Sequence, residues 1–295
     1  DAVSSGIVNG GQAWTHYWSG KHPAGLLFAA PTAGLGIGLD QRGLLSWAWE
    51  GGGNKLLDQY YQDELGYDIK AWLSMPMGPE PFGWFPKKFE TMNELTEMKF
   101  RSPPGIPAKT FKSIGMPVVS MPGSEIVPSA QRGVIDAAEW ISPGDDLFLG
   151  LADVWKHYYL QGLHQALSIG DVYINQKWYD SLPAHLQGVI ETSMKAMVTD
   201  QINMNVSTNS KALKQLVTEK NVKLEETPEA YFETYMAAVP GILDQYASDN
   251  PFFEEVLVSL EDWAKLTVPY QLKVNGLYYK MGKTAMDSGA MKNYK

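Results

Sequence analysis

Two short stretches of this 295-residue chain hold side chains whose types and spacing could do chemistry at one site. In MKFRSPPG, Arg101 ends a strand-like run just before Ser102-Pro103-Pro104. A strand end that opens into a loop is where open α/β sheets place ligand contacts. A guanidinium there offers a carboxylate two parallel donors, a geometry lysine cannot copy. In QRGVIDAAEWISPGDD, Glu139 and Trp140 end a second strand-like run of small apolar residues. The glutamate is either exposed at the mouth of a cleft or paired inside it, and the tryptophan supplies a flat wall.

Signatures of catalysis are scarce. The chain has no GxSxG, HExxH or GxxxxGK[ST] motif, and no GxGxxG after a strand. The cluster Gly34-Leu35-Gly36-Ile37-Gly38 lacks phosphate-loop spacing. The five histidines show no metal-ligand spacing, although His157 and His164, seven apart, could share a helix face. Cysteine is absent, which excludes disulfides, zinc–thiolate sites and thiol catalysis. Net charge is −9 without a Lys/Arg cluster, so no nucleic-acid surface is expected. Ten Trp and fifteen Tyr suit either aromatic cleft walls or dense packing.

Helical and strand patterns alternate throughout, which predicts an α/β fold. Residues 40–65 read as two helices split by Gly51-Gly52-Gly53, 67–75 as a strand, and 91–94 as a capping box opening a short helix. Short strands are expected at 98–101, 117–120 and 134–140, with helices at 107–115 and 124–132. Leu182 to about Val217 should form a long helix carrying Leu186, Val189, Ile190, Met194, Met197 and Val198 at near-helical spacing. Residues 252–267 form another amphipathic helix, which Pro269 should kink or stop, followed by a Tyr/Lys-rich tail. The uncharged run 23–39 is too short and too rich in Gly and Pro to span a membrane. It reads as strand and turn inside a domain.

SEIVPSAQRGVIDAAEWISPGDD, followed by YYLQGLHQALSIGDVYINQKWYDSLPAHLQ, resembles the receptor subunits of TRAP (tripartite ATP-independent periplasmic) transporters, in the 2-oxo-acid and lactate branch. DAVSSGIVNGGQAWTHYWSGKHPAGLLFA and GWFPKKFETMNELTEMKFR align in the same order, so the resemblance covers nearly the whole chain. It implies a periplasmic binding protein, not an enzyme, with two α/β lobes around a cleft, a long connecting helix and an extra C-terminal helix. The expected lobes are 1–78 with 167–206, and 79–166 with 207–250; 251–295 would be a dimerisation helix and tail. The implied ligand is a small 2-oxo or 2-hydroxy acid such as pyruvate or lactate, passed to the membrane permease subunits of the transporter. The alternatives are a dicarboxylate or sugar-acid receptor, or a metal-dependent enzyme acting on an oxo acid.

Residue by residue, the resemblance makes Arg101 the carboxylate clamp, and gives Glu139 and the Trp140 backbone carbonyl to a metal ion that bridges ligand and protein. Tyr17 and Phe28 fall in segments that supply aromatic walls. Three departures stand out. Family members begin with a strand–helix unit ahead of the position of Asp1, so the first lobe is expected to lack a central strand. Glu80 stands where the family has a metal-binding glutamine, and Gln165 where it has an acidic residue. Two carboxylates, Glu80 and Glu139, at one site repel unless a cation lies between them. An all-oxygen shell of that charge favours Ca²⁺ over Mg²⁺, with Na⁺ the alternative.

Overall fold

The computed structural model describes residues 1–290. Among these residues, nine strands form two sheets. β1 (Gly10–Ala13), β2 (Ile69–Gly78) and β8 (Ser168–Asn175) make an antiparallel sheet with β8 in the middle. The second sheet runs β5 (Val118–Val119), β4 (Phe100–Arg101), β6 (Ala137–Ala138), β3 (Gly83–Phe85), β7 (His157–Tyr159), β9 (Lys223–Glu225). In it β5, β4 and β6 are parallel to one another, and β3 is antiparallel to both of its neighbours.

The helices start where the sequence provides caps. In α2 (Gln41–Glu50) the Asp40 carboxylate accepts from Gly43 N–H at 2.7 Å. Gly52, at φ +90°, turns the chain into α3 (Gly53–Gln59), a conformation that costs little only without a Cβ. The capping box at Thr91 and Glu94 opens a helix at Met92–Thr96. Residues 23–39 lie in the interior as expected, but as a short helix, Gly25–Ala29, and a turn with left-handed backbone at Ala33–Leu35. The segment is mostly Ala, Leu and Gly, with only Thr32 and Ile37 of the β-branched residues that favour strands. The strand expected at 134–140 shrinks to Ala137–Ala138, with Val134 exposed.

Two chain segments that cross between the sheets lie against each other. Residues 79–82 lead from β2 to β3, and 160–167 return from β7 to β8. Glu80 N–H donates to the Gln165 carbonyl at 3.2 Å. A Cβ on Gly162 would sit 2.7 Å from the Phe82 backbone, so the two segments can approach this closely only with glycine there. The long helix, here α9 (Ala184–Thr218), spans both sheets' surroundings. Its Asn205 donates to the Pro76 carbonyl at the end of β2 at 2.8 Å, and its Asn209 accepts from Gly144 N–H at 3.1 Å, beside the second sheet. The apolar stripe expected near its start is poorly covered, since Leu186 and Val189 are exposed.

Most aromatic residues serve packing. Phe82 stacks on Tyr231 at 4.3 Å and Phe89 on Tyr159 at 4.3 Å, within a core that also holds Phe85, Phe100 and Phe111. Pro269 does not stop the C-terminal helix, α11, which runs Pro251–Asp287. Proline's fixed φ suits a helix; the cost is one lost N–H bond and crowding of the carbonyl four residues back. The turns beyond it are tied back by Asn275, which accepts from Arg42 at 3.0 Å and donates to Asp40 at 2.8 Å. Residues 291–295, the end of the expected tail, lie outside the described residues.

Two buried aspartates give the fold a pH dependence. Burial pushes Asp146 up to about 8, although Trp84 and Tyr158 donate to it, and pushes Asp171 up to about 7, although Tyr61 donates to it. Between about pH 4 and 8 the folded chain therefore binds more protons at these groups than the unfolded chain, and stability falls as pH rises. The urea midpoint should be higher at pH 5 than at pH 8, with a shallower loss in Asp171→Asn. An Asp171→Asn variant with the parent's slope would show that this carboxyl is ionised in the fold.

Candidate functional site

The strand register brings Arg101 and Glu139 together. β4 and β6 pair in parallel with Arg101 opposite Ala138, so Glu139, the next residue, lands beside the guanidinium. Both side chains are buried, and Arg101 Nη1 donates to Glu139 Oε1. Nε and Nη2 of Arg101 donate to the Met121 carbonyl at 3.1 and 2.8 Å. Of five guanidinium N–H groups, two remain for a ligand. The Trp140 ring lies over the guanidinium, 5.3 Å from its Cζ, within cation–π range.

The two crossing segments deliver the rest. Glu80 comes from 79–82, and His164 and Gln165 come from 160–167; all three are buried. His164 Nε2 sits 3.7 Å from Glu80 Oε2 and 3.7 Å from Glu139 Oε2. Those separations are ion pairs, too long for hydrogen bonds, and neither imidazole nitrogen has a hydrogen-bond partner. Burial pushes Glu80 up to about 7, partly opposed by His164. Burial also acts to raise Glu139, but the Arg101 charge and His164 outweigh it and hold that carboxyl low. Burial would lower His164, and the two glutamates overcome it, raising it to about 9. His16, which also faces the site, is pushed down to about 4 by burial, against the pull of Glu139.

Glu80, Arg101, Glu139, Gln165 and His16 line a cleft of about 90 Å³, bounded further by Trp14, Tyr17, Trp140 and Pro103 among others. That is far below the roughly 300–1,000 Å³ of drug-sized pockets, and fits a ligand of a few heavy atoms. Among the described residues, one donor atom each from Glu80, Glu139 and His164 lie within 4.8 Å of one another. Two buried carboxylates with free oxygens, facing an unpartnered imidazole nitrogen, are a donor set that fits a bound cation.

Of the residues expected here, Arg101, Glu80, Glu139, Trp140 and Gln165 line the cleft, and Tyr17 stands at its exposed edge. Phe28 does not. It is fully buried in the core against Trp47 and Tyr60, at 5.9 and 5.5 Å, so its role is packing. His157 and His164 share no helix: His157 lies on β7, paired with Glu225 at 2.7 Å. His164 and His16 were missed as site residues, since neither belongs to a periodic pattern. The one available signal was the place of His164, next to Gln165 in a stretch already singled out.

Residues 1–249 match the model of the bacterial extracellular solute-binding protein family 7. The chain belongs to this family. A monocarboxylate 2-oxoacid-binding periplasmic protein from Nostoc sp. is 28% identical over 280 residues, 95% of this chain and 74% of the relative. A TRAP periplasmic solute-binding protein from Pseudoalteromonas atlantica, solved with bound sodium and pyruvate, superposes with a TM-score of 0.82 at 27% identity, covering 95% of this chain and 83% of that one. Another from Colwellia psychrerythraea, solved with calcium and pyruvate, gives 0.82 at 26% identity over the same shares. Family 7 proteins are periplasmic receptors of transporters, not enzymes, and this chain has their mixed α/β fold.

The buried pair makes a stability prediction for this family 7 chain. Arg101→Ala leaves Glu139 buried with only His164, at 3.7 Å, to oppose its charge, a loss of up to roughly 3–5 kcal/mol. Arg101→Lys, which keeps the charge, should cost clearly less in urea unfolding. Equal losses in the two variants would mean that packing, not charge, is what Arg101 provides.

Proposed function

We propose that the chain is the receptor of a TRAP transporter for a small monocarboxylate, a 2-oxo or 2-hydroxy acid such as pyruvate or lactate, held by Arg101 and a bridging cation. The observation that carries this reading is the charge of the cleft. Arg101 and a protonated His164 only cancel ionised Glu80 and Glu139, so the cleft alone offers an anion no net charge. A divalent ion among the donor atoms of Glu80, Glu139 and His164, in place of the imidazole proton, brings the sum to +1, and one carboxylate then neutralises it. The two free guanidinium N–H groups meet the ligand's oxygens, and Trp140 and Tyr17 cover its apolar end. The ion supplies charge and coordination sites; the residues supply orientation and exclude water. The pyruvate and metal ions of the two solved relatives support the same ligand class.

The proposed lobes are 1–78 with 167–206, and 79–166 with 207–250. β1, β2 and β8 fall in the first and the other six strands in the second, which supports the division. Isothermal titration of pyruvate should show binding in the parent protein, a loss of a hundredfold or more in Arg101→Lys, and a loss after chelation that a divalent ion restores and added Na⁺ does not. Normal binding by Arg101→Lys, or unchanged affinity after exhaustive chelation, would overturn the clamp or the bridging ion respectively.

A homodimer through α11 is the second part of the proposal. Of the apolar positions in 252–267, Phe252, Phe253, Val256, Leu257 and Leu260 are buried within this chain and Trp263 is partly buried. The uncovered apolar surface lies further along, at Leu266, Tyr270, Leu272, Leu277, Tyr278 and Tyr279, and an exposed patch of that kind marks an interface. Deleting 269–295 should turn a dimer into a folded monomer by light scattering; a parent protein that is already monomeric ends this part of the reading.

A further inference from the structure

Within the receptor reading above, on which this inference rests, we propose that His164 is a metal ligand and that it makes the cleft selective for a borderline divalent transition ion, Zn²⁺ or Co²⁺, over Ca²⁺ and Na⁺. The donor set is Nε2 of His164 with one oxygen each of Glu80 and Glu139.

Three observations lead to this. First, Nε2 is fully buried, has no hydrogen-bond partner, and stands equidistant, at 3.7 Å, from Glu80 Oε2 and Glu139 Oε2. Donors on one tetrahedral ion with bonds of about 2.1 Å are separated by about 3.4 Å; both His164 distances are within a few tenths of an ångström of that, and all three donor atoms lie within 4.8 Å of one another. Second, the oxygens are free to bind. Arg101 takes Glu139 Oε1 and leaves Oε2 facing the imidazole, while the Glu80 backbone N–H, not its carboxylate, makes the bond that joins the crossing segments. Third, Ca²⁺ and Na⁺ sites are built from oxygen, whereas imidazole nitrogen suits Zn²⁺, Co²⁺ and their neighbours.

Two carboxylates and one imidazole also leave a tetrahedral ion one open position, as three-ligand zinc sites do. Glu80 and Glu139 line the cleft, so the carboxylate of the solute would complete the shell from there. The preference for Ca²⁺ expected from the sequence assumed oxygen donors alone, and His164 is what changes it.

The test uses the metals alone, with no carboxylate present. Chelator-stripped protein is titrated with Zn²⁺, Co²⁺, Ca²⁺ and Na⁺ by calorimetry and thermal shift, beside His164→Gln, which exchanges the nitrogen for an amide oxygen. The expected result is one Zn²⁺ or Co²⁺ per chain, bound at least tenfold tighter than Ca²⁺, with that preference lost or reversed in His164→Gln. If His164→Gln does not fold, the parent protein still decides. Its Co²⁺ form should show one imidazole N–H proton shifted far downfield by the paramagnetic ion, and visible absorption of a four- or five-coordinate centre.

Zn²⁺ and Co²⁺ binding no tighter than Ca²⁺, an unchanged order of affinities in His164→Gln, or a Co²⁺ form without the shifted N–H would each overturn the assignment. Pyruvate is titrated separately. Zn²⁺ binding without any pyruvate binding refutes the carboxylate receptor and leaves the ligand assignment standing. Pyruvate binding with Ca²⁺ or Na⁺ alone does the reverse.

Discussion

Two carboxylates held in the same water-poor space are the constraint to which the rest of this cleft answers. Glu80 and Glu139 are both buried, and both turn an oxygen toward the same imidazole. Their repulsion has to be met by positive charge, and the chain supplies it from two directions, Arg101 on the strand beside Glu139 and His164 on the segment beside Glu80. The guanidinium is held by the Met121 carbonyl, so it cannot swing to satisfy both carboxylates. With the imidazole neutral, what is left over is a directed deficit of positive charge in a small cavity, which is what selects an ion and, with it, an anion.

The frame that fixes this deficit is backbone, not side chain. Parallel pairing of β4 with β6 sets Arg101 against Glu139, and the contact between the two crossing segments sets Glu80 against His164 and Gln165. α9 fastens to the end of β2 and to the start of the helix after β6 through asparagines four positions apart, about one helical turn. The charged groups thus come from four separate stretches of chain and meet only because the two sheets are tied at several points.

How much of this was legible in the sequence follows from which signals are local. The capping box at Thr91, the glycine break at Gly52 and the length of α9 depend on neighbours in the chain, and the structure has all three. Arg101 and Glu139 stood out because each ends a strand. His164 did not, because a crossing segment has no period to be out of step with, and its partners lie 84 and 25 residues away. Phe28 was misplaced for a related reason. An aromatic residue in an apolar run looks the same whether it faces a cleft or Trp47, and only packing decides. Pro269 shows a local rule overridden, as Asn275 anchors the turns beyond it.

The close approach at Gly162 bears on how such a receptor can change its ligand over evolutionary time. Any side chain there would push a Cβ into the Phe82 backbone and the Glu80 carbonyl, so drift at this position is closed to all twenty residues but one. From a segment whose path is already fixed, Gln165 presents its side chain to the cleft and His164 its imidazole to the two glutamates that line it. Specificity can therefore diversify by exchanging donors on an immobile track, so that a new ion or solute is reached by single substitutions without refolding the cleft around them.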